Sequence, residues 1–223
     1  MPAAIFFRAI IAISLTAVIG VFAPGSAVMA QASATLETTE TAEAELKGFR
    51  SARFGMDEEA VLEAIKADFG LEGEAVNIGS NTVERTRVIT ISVPEILPDG
   101  GTAQVSYIFG YKSKTLIQVG ILWSASTDET ITDATLYANG DLLRSYFASA
   151  GYRPETITRD VVLDNGVLLF RGSDASGHTA ILLLQGRFEG DDSNLTLLPE
   201  ALTLLYAVNP DDPDILTISP GDF

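Results

Sequence analysis

The sequence predicts an α+β protein built from two tandem αβββ modules, with an antiparallel sheet carrying its helices packed on one face. Three observations predict it. Residues 57–69 place apolar side chains at helical spacing. Residues 103–109 and 115–123 alternate apolar and less apolar positions around a Gly-containing turn, the pattern of a half-buried antiparallel hairpin. From 126 the period becomes helical again, and strand-like runs follow it to 208. Helix-then-strands therefore occurs twice, as a first module at 49–125 and a second at 126–208.

Each element has a local cause. Asp57 is a good helix N-cap, because its carboxylate can accept from an orphan N–H. Glu58 and Glu59 fall in the first turn, where the helix dipole favours negative charge. Val61, Ala64, Ile65, Asp68 and Phe69 form one mostly apolar stripe, and Gly70 closes the helix. Ahead of it, Phe49 and Phe54 flank Arg50 and Arg53, and Gly55 makes the turn into the helix. Residues 72–80 read as a loop. Residues 83–93 alternate and end at Pro94, hence a strand.

In the hairpin, Ala103, Val105, Tyr107, Phe109, Ile117, Val119, Ile121 and Trp123 are the set expected against the helices. Gln104, Ser106, Gln118 and Gly120, mixed with Ile108, Leu116 and Leu122, form the other face. The second helix runs through Ile131, Ala134, Ala138, Leu142, Tyr146 and Phe147, with Gly151 at its end. Strands are expected at 156–163, 167–171, 178–185 and 201–208. Asp164-Asn165-Gly166 is a type I′ hairpin signal. Residues 188–194 are an acidic loop, and 209–223, with three prolines and four aspartates, an irregular tail. The hairpin 104–123 has a counterpart in 167–186, with Phe109 matching Phe170, which predicts an internal structural repeat.

The first 30 residues have the layout of a signal peptide: Arg8, an apolar run over 9–23, a Pro-Gly-Ser break, then Val28-Met29-Ala30 ahead of a cut. A spanning helix needs roughly 20 apolar residues, so this run is short for a permanent anchor. Residues 31–48, rich in Ala, Thr and Glu, read as a flexible spacer. The predicted location is outside the cytoplasm: periplasmic in a Gram-negative cell, otherwise extracellular. The chain has no cysteine, which removes disulfides, thiolate zinc sites and cysteine nucleophiles together. Its formal net charge is −16. Phosphate backbones and anionic membranes are repelled by such a surface, so neither is an expected partner.

Gly55-Met56-Asp57 followed by Glu58-Glu59-Ala60-Val61 resembles the start of the helix in BamE/SmpA-type modules. Two helix-plus-sheet modules in tandem are similar to the layout of β-lactamase-inhibitor-like proteins. The stretch 49–56 also resembles exported bacterial proteins that share an FRSxRFGM-type opening. The first two resemblances imply binding modules, not enzymes. Without cysteine, this chain has neither the lipid anchor of the first family nor the disulfides of the second.

No chemistry-bearing motif stands out. His178 is the single histidine, with no Ser or Asp spaced beside it as in a triad, so it reads as a strand-edge residue that any activity could spare. Asp191, Asp192 and Asn194 lack the spacing of a calcium loop. Asp211, Asp212 and Asp214 sit in the proline-broken tail and read as solvated. Asn194-Leu195-Thr196 fits a glycosylation sequon, which matters only on a eukaryotic secretory route. No catalytic residue, metal or cofactor is assigned. The expected function is a non-catalytic protein-interaction or envelope-associated module, binding another exported or envelope protein through Gln104, Ser106 and Gln118. The alternatives are a hydrolase using loop carboxylates and a small-molecule carrier.

Overall fold

A computed structural model of the chain describes residues 43–191 and 194–217. The expected signal peptide and residues 31–42 of the expected spacer lie outside them. A small hairpin comes first, β1 (Gly48–Phe49) with β2 (Ala52–Arg53), then helix α1 (Glu58–Phe69). Strands β3 (Val76–Asn81), β4 (Thr86–Val93), β5 (Ala103–Phe109) and β6 (Leu116–Ser124) follow. After helix α2 (Asp133–Ala148) come β7 (Val161–Leu163), β8 (Gly166–Ser173), β9 (Thr179–Glu189) and β10 (Thr196–Ala207).

The predicted fold class is corrected. The protein is mostly β, with 40% strand against 20% helix, and is not a pair of helix-packed αβββ modules. Its strands make one eight-stranded antiparallel sheet in the order β3-β4-β5-β6-β10-β9-β8-β7. The last strands of the two halves, β6 and β10, pair along Ala201↔Ser124 to Ala207↔Gln118. That seam joins the halves backbone to backbone, so neither half has a sheet of its own. Each half has four strands after its helix, because 72–80 hides β3. Its sequence, VNIGSN, is polar and mostly exposed, so it carries no apolar alternation to read.

The fourth strand also moves the repeat. By position in the sheet, β5–β6 corresponds to β9–β10, not to the β8–β9 hairpin that resembles it in sequence. Phe109 and Phe170 are both fully buried but stand on non-equivalent strands. The turn at 164–165 is not type I′, since neither Asp164 nor Asn165 has positive φ; Gly166 does, at 149°.

The helix ends follow their caps. Asp57 accepts from Ala60 N at 2.9 Å, and Gly70 closes α1 in the left-handed region at φ 67°. Thr132 caps α2 through Thr135 N, so this helix starts well after 126. Both helices bury apolar residues in one core with the same sheet face: Val61 and Ile65 of α1, and Leu136, Leu143 and Phe147 of α2. The expected α2 stripe is corrected, since Ala134, Ala138, Leu142 and Tyr146 are exposed. Phe147 stacks on Phe170 with ring centroids 5.2 Å apart. Leu46, inside the stretch read as a spacer, is buried; its N–H donates to the buried Asp174 at 2.8 Å.

Candidate interaction face

Register decides which residues share the face turned away from the helices. Three of its rows start from β4 and reach β7 or β8. One runs Ser92, Gln104, Leu122, Thr203, Leu183, Leu168 and Val161 from β4 to β7. The next runs Thr90, Ser106, Gly120, Leu205, Ile181 and Arg171 from β4 to β8. The third runs Val88, Ile108, Gln118, Ala207, Thr179 and Ser173. On β4 and β5 the first two rows are polar. From β6 onwards they turn largely aliphatic.

The three residues singled out by sequence lie on this face in adjacent rows. Gln104 opposes Leu122, Ser106 opposes Gly120, and Gln118 opposes Ile108. Gln104 and Gln118 are half-buried, while Ser106 is only 7% exposed. Ser106 Oγ lies 3.4 Å from Thr90 Oγ1 and 3.5 Å from Gln104 Nε2, so its hydrogen bonding is turned inward along the face. The aliphatic half was not singled out. Its signal is the run Ala180–Leu184: a strand apolar on both of its faces reads as continuous, not alternating. Leu205 and Leu122 are nearly closed off by their neighbours, and Ile181 and Leu183 are half-exposed.

One expected member leaves the face. A bulge between Ile108 and Phe109 shifts the pairing, so Phe109 opposes Leu116. Leu116 is therefore fully buried in the helix-side core, and Ile117, expected there, is half-exposed. The backbone of Leu116 is held by Gly55 N and Met56 O at 2.9 and 2.7 Å, which ties the start of β6 to the lead-in of α1.

Charge on the three rows is confined to Arg171, and Asp211 of the tail holds both its Nη2 contacts at 2.8–2.9 Å. The tail continues along that end of the sheet: Asp214 accepts from Lys112 N and Ser113 N, and Leu216 N donates to Glu84 O. Those amides hold the Asp214 carboxyl below the usual range, against the opposing effect of its partial burial. Burial raises the pKa of Glu84 in the β3–β4 turn, where its side-chain partner is Asn81, not a second acid.

His178 has a structural task. Its Nδ1 donates to Leu46 O at 2.7 Å, since a carbonyl can only accept, and its ring meets Phe54 edge-on at 5.0 Å. Asp174 accepts from the N–H groups of Leu46, Ser176 and His178. The 174–178 turn thus anchors the strand lead-in at Leu46. Among the described residues no group of three His, Cys, Asp or Glu could hold a metal, and no helix is long and apolar enough to cross a membrane.

Comparison with protein-family models, curated proteins and solved structures finds no match. The resemblance at 55–61 therefore rests on those seven residues and the element order alone.

Proposed function

We propose that this is an exported, non-catalytic module that binds another exported or envelope protein through the helix-free sheet face. The observation that carries the reading is the composition of the first two rows: Ser92, Gln104, Thr90 and Ser106 on β4–β5 run into largely aliphatic groups on β10–β8, with the one charged residue of the rows, Arg171, already paired. A surface part polar and part apolar, with charge removed from its centre, has the composition of a protein–protein contact. The large negative net charge keeps the rest of the surface soluble and disfavours anionic partners.

The test is cross-linking and pull-down from the native compartment with wild type and with Ser92→Lys/Gln118→Lys. Both positions accept a surface side chain, so the variant should melt as wild type does. It is expected to lose the cross-linked partner. A folded variant that retains every partner removes the face from consideration.

A further inference from the structure

On the opposite side from that face, a cavity of about 450 Å³ opens between the β1–β2 hairpin and the C-terminal end of α2. Phe49, Tyr146, Tyr152 and Tyr206 supply aromatic walls, and Arg50 and Arg53 stand at it from the hairpin. Lys47 is nearby but already paired with Glu45 at 2.6 Å.

Among the described residues the two guanidinium groups have no carboxylate partner. The chain has 30 acidic residues against 14 basic ones, and Arg87, Arg144, Arg153, Arg171 and Arg187 each hold a carboxylate. Arg50 and Arg53 hold none among the described residues, and they do so side by side at a cavity. Arg85 and Arg159, also without a carboxylate among the described residues, are exposed like Arg50 and Arg53 but stand singly and away from the cavity. Arg53 Nη1 donates to the backbone oxygen of Arg50. The Arg50 guanidinium lies 4.8 Å from the Phe69 ring centroid, a cation–π seat that leaves its edge donors free.

The backbone holds this arrangement at a cost. Arg50 has φ 52°, a left-handed conformation that glycine or asparagine adopts far more readily. Strain of this kind persists where the surrounding structure over-determines it, often at a ligand site. Here the determinants are Gly48, where a Cβ would lie 2.2 Å from Ala52 O, and Ser51, whose N–H and Oγ both donate to Asp68 of α1.

Three hydroxyls complete the site. Tyr146, Tyr152 and Tyr206 make no hydrogen bond among the described residues, whereas Tyr137 donates to Leu197 O at 2.6 Å. Burial pushes the Tyr152 and Tyr206 hydroxyls well above their ordinary range, and each also feels Tyr146, so they stay neutral donors. Guanidinium forks without a carboxylate and hydroxyls without a protein partner are all donors, Tyr146 from an exposed position, and rings flank them. The complementary molecule is an anion with acceptor oxygens and a flat apolar body.

We propose that the cavity between the β1–β2 hairpin and α2 binds a small aryl carboxylate or sulfonate, with its charged head on Arg50 and Arg53 and its ring among Phe49, Tyr152 and Tyr206. The site is independent of the sheet face proposed for protein binding. The probe is 8-anilino-1-naphthalenesulfonate, titrated into the intact chain by fluorescence, with its uncharged analogue N-phenyl-1-naphthylamine beside it. One saturable site is expected, with the uncharged analogue about tenfold weaker or more, the scale of a charge-assisted contact. Arg50→Gln/Arg53→Gln should weaken the sulfonate by a similar factor, and Tyr206→Phe, which keeps the ring, by a few-fold. Lys114→Gln, a loss of positive charge outside the cavity, should leave it unchanged. Equal affinity for the two probes, no saturable binding, or a sulfonate affinity indifferent to the arginine pair overturns the proposal. If the arginine double variant fails to fold, Tyr206→Phe and the probe pair decide.

Discussion

The two faces of this sheet hide their residues by different means. On the helix side, Tyr107, Val119, Ile121, Trp123 and Leu182 are fully buried, under two helices and among stacked aromatic rings. On the other side, Leu122, Thr203, Leu205 and Leu168 are almost as inaccessible, yet both helices bury their apolar stripes elsewhere. They stand outside the core that the helices share, flanked by cross-strand neighbours. The lesson is that low exposure does not measure commitment to the core. A group covered by a second layer is locked by that layer, whereas one covered by flanking side chains stands one side-chain movement from solvent or a partner.

The sharpest way to break this contrast is Val119→Asp. Val119 is fully buried under the helix layer. An unpartnered carboxylate there costs several kcal/mol or forces protonation, so the melt should collapse. Normal melting would mean that the two faces are exchanged.

Next comes the layer itself. Phe147 of α2 is 1% exposed and stacks on Phe170, so Phe147→Ala should cost about 3–5 kcal/mol in denaturant unfolding. A loss under about 1 kcal/mol, the scale of an ordinary surface site, would show that α2 is not what seals that face.

A pH series probes the approach to α2. Asp128 accepts from Thr102 N, at the start of β5, and from Thr130 N and Oγ1. The Thr102 amide, followed by the Thr130 donors, holds its carboxyl below the usual range. A folded-state pKa below the unfolded one stabilises above the unfolded value and is lost as pH falls through the folded one. Asp128→Asn should therefore melt below wild type at neutral pH, and the gap should close as pH drops below about 4. A gap of the same size at every pH would assign the effect to shape and not to charge.

The smallest effect is expected on the open face. Gln118→Lys changes a half-buried surface group and should shift stability by no more than about 0.5 kcal/mol. Unfolding of that variant would show that the face is sealed by something the contrast leaves out.

How much was legible follows from where each signal resides. The α1 boundaries could be read because a capping carboxylate and a left-handed glycine act within one turn of chain. The β5–β6 hairpin could be read because its alternation reflects one buried face. The outward placement of Gln104, Ser106 and Gln118 rests on the same alternation. Leu116 and Ile117 were read onto the wrong sides, since a single bulge inverts every side chain before it without marking the sequence. The cavity was invisible in the same way: Arg50 and Tyr206 are far apart in the chain, and each alone is an ordinary residue.

By itself the sequence determined helix α1, the existence though not the buried face of α2, the central hairpin, the acidic surface and the absence of thiol chemistry, all of which depend on composition or on neighbours within a few residues. The tertiary structure alone decided that eight strands form one sheet, because the seam at β6 and β10 is made of backbone hydrogen bonds. Backbone donors and acceptors are the same in every residue but proline, so partner choice leaves little trace in side-chain identity. The joined halves then set which apolar rows meet on the open face, and the folding of the hairpin against α2 and β10 sets which donors meet at the cavity.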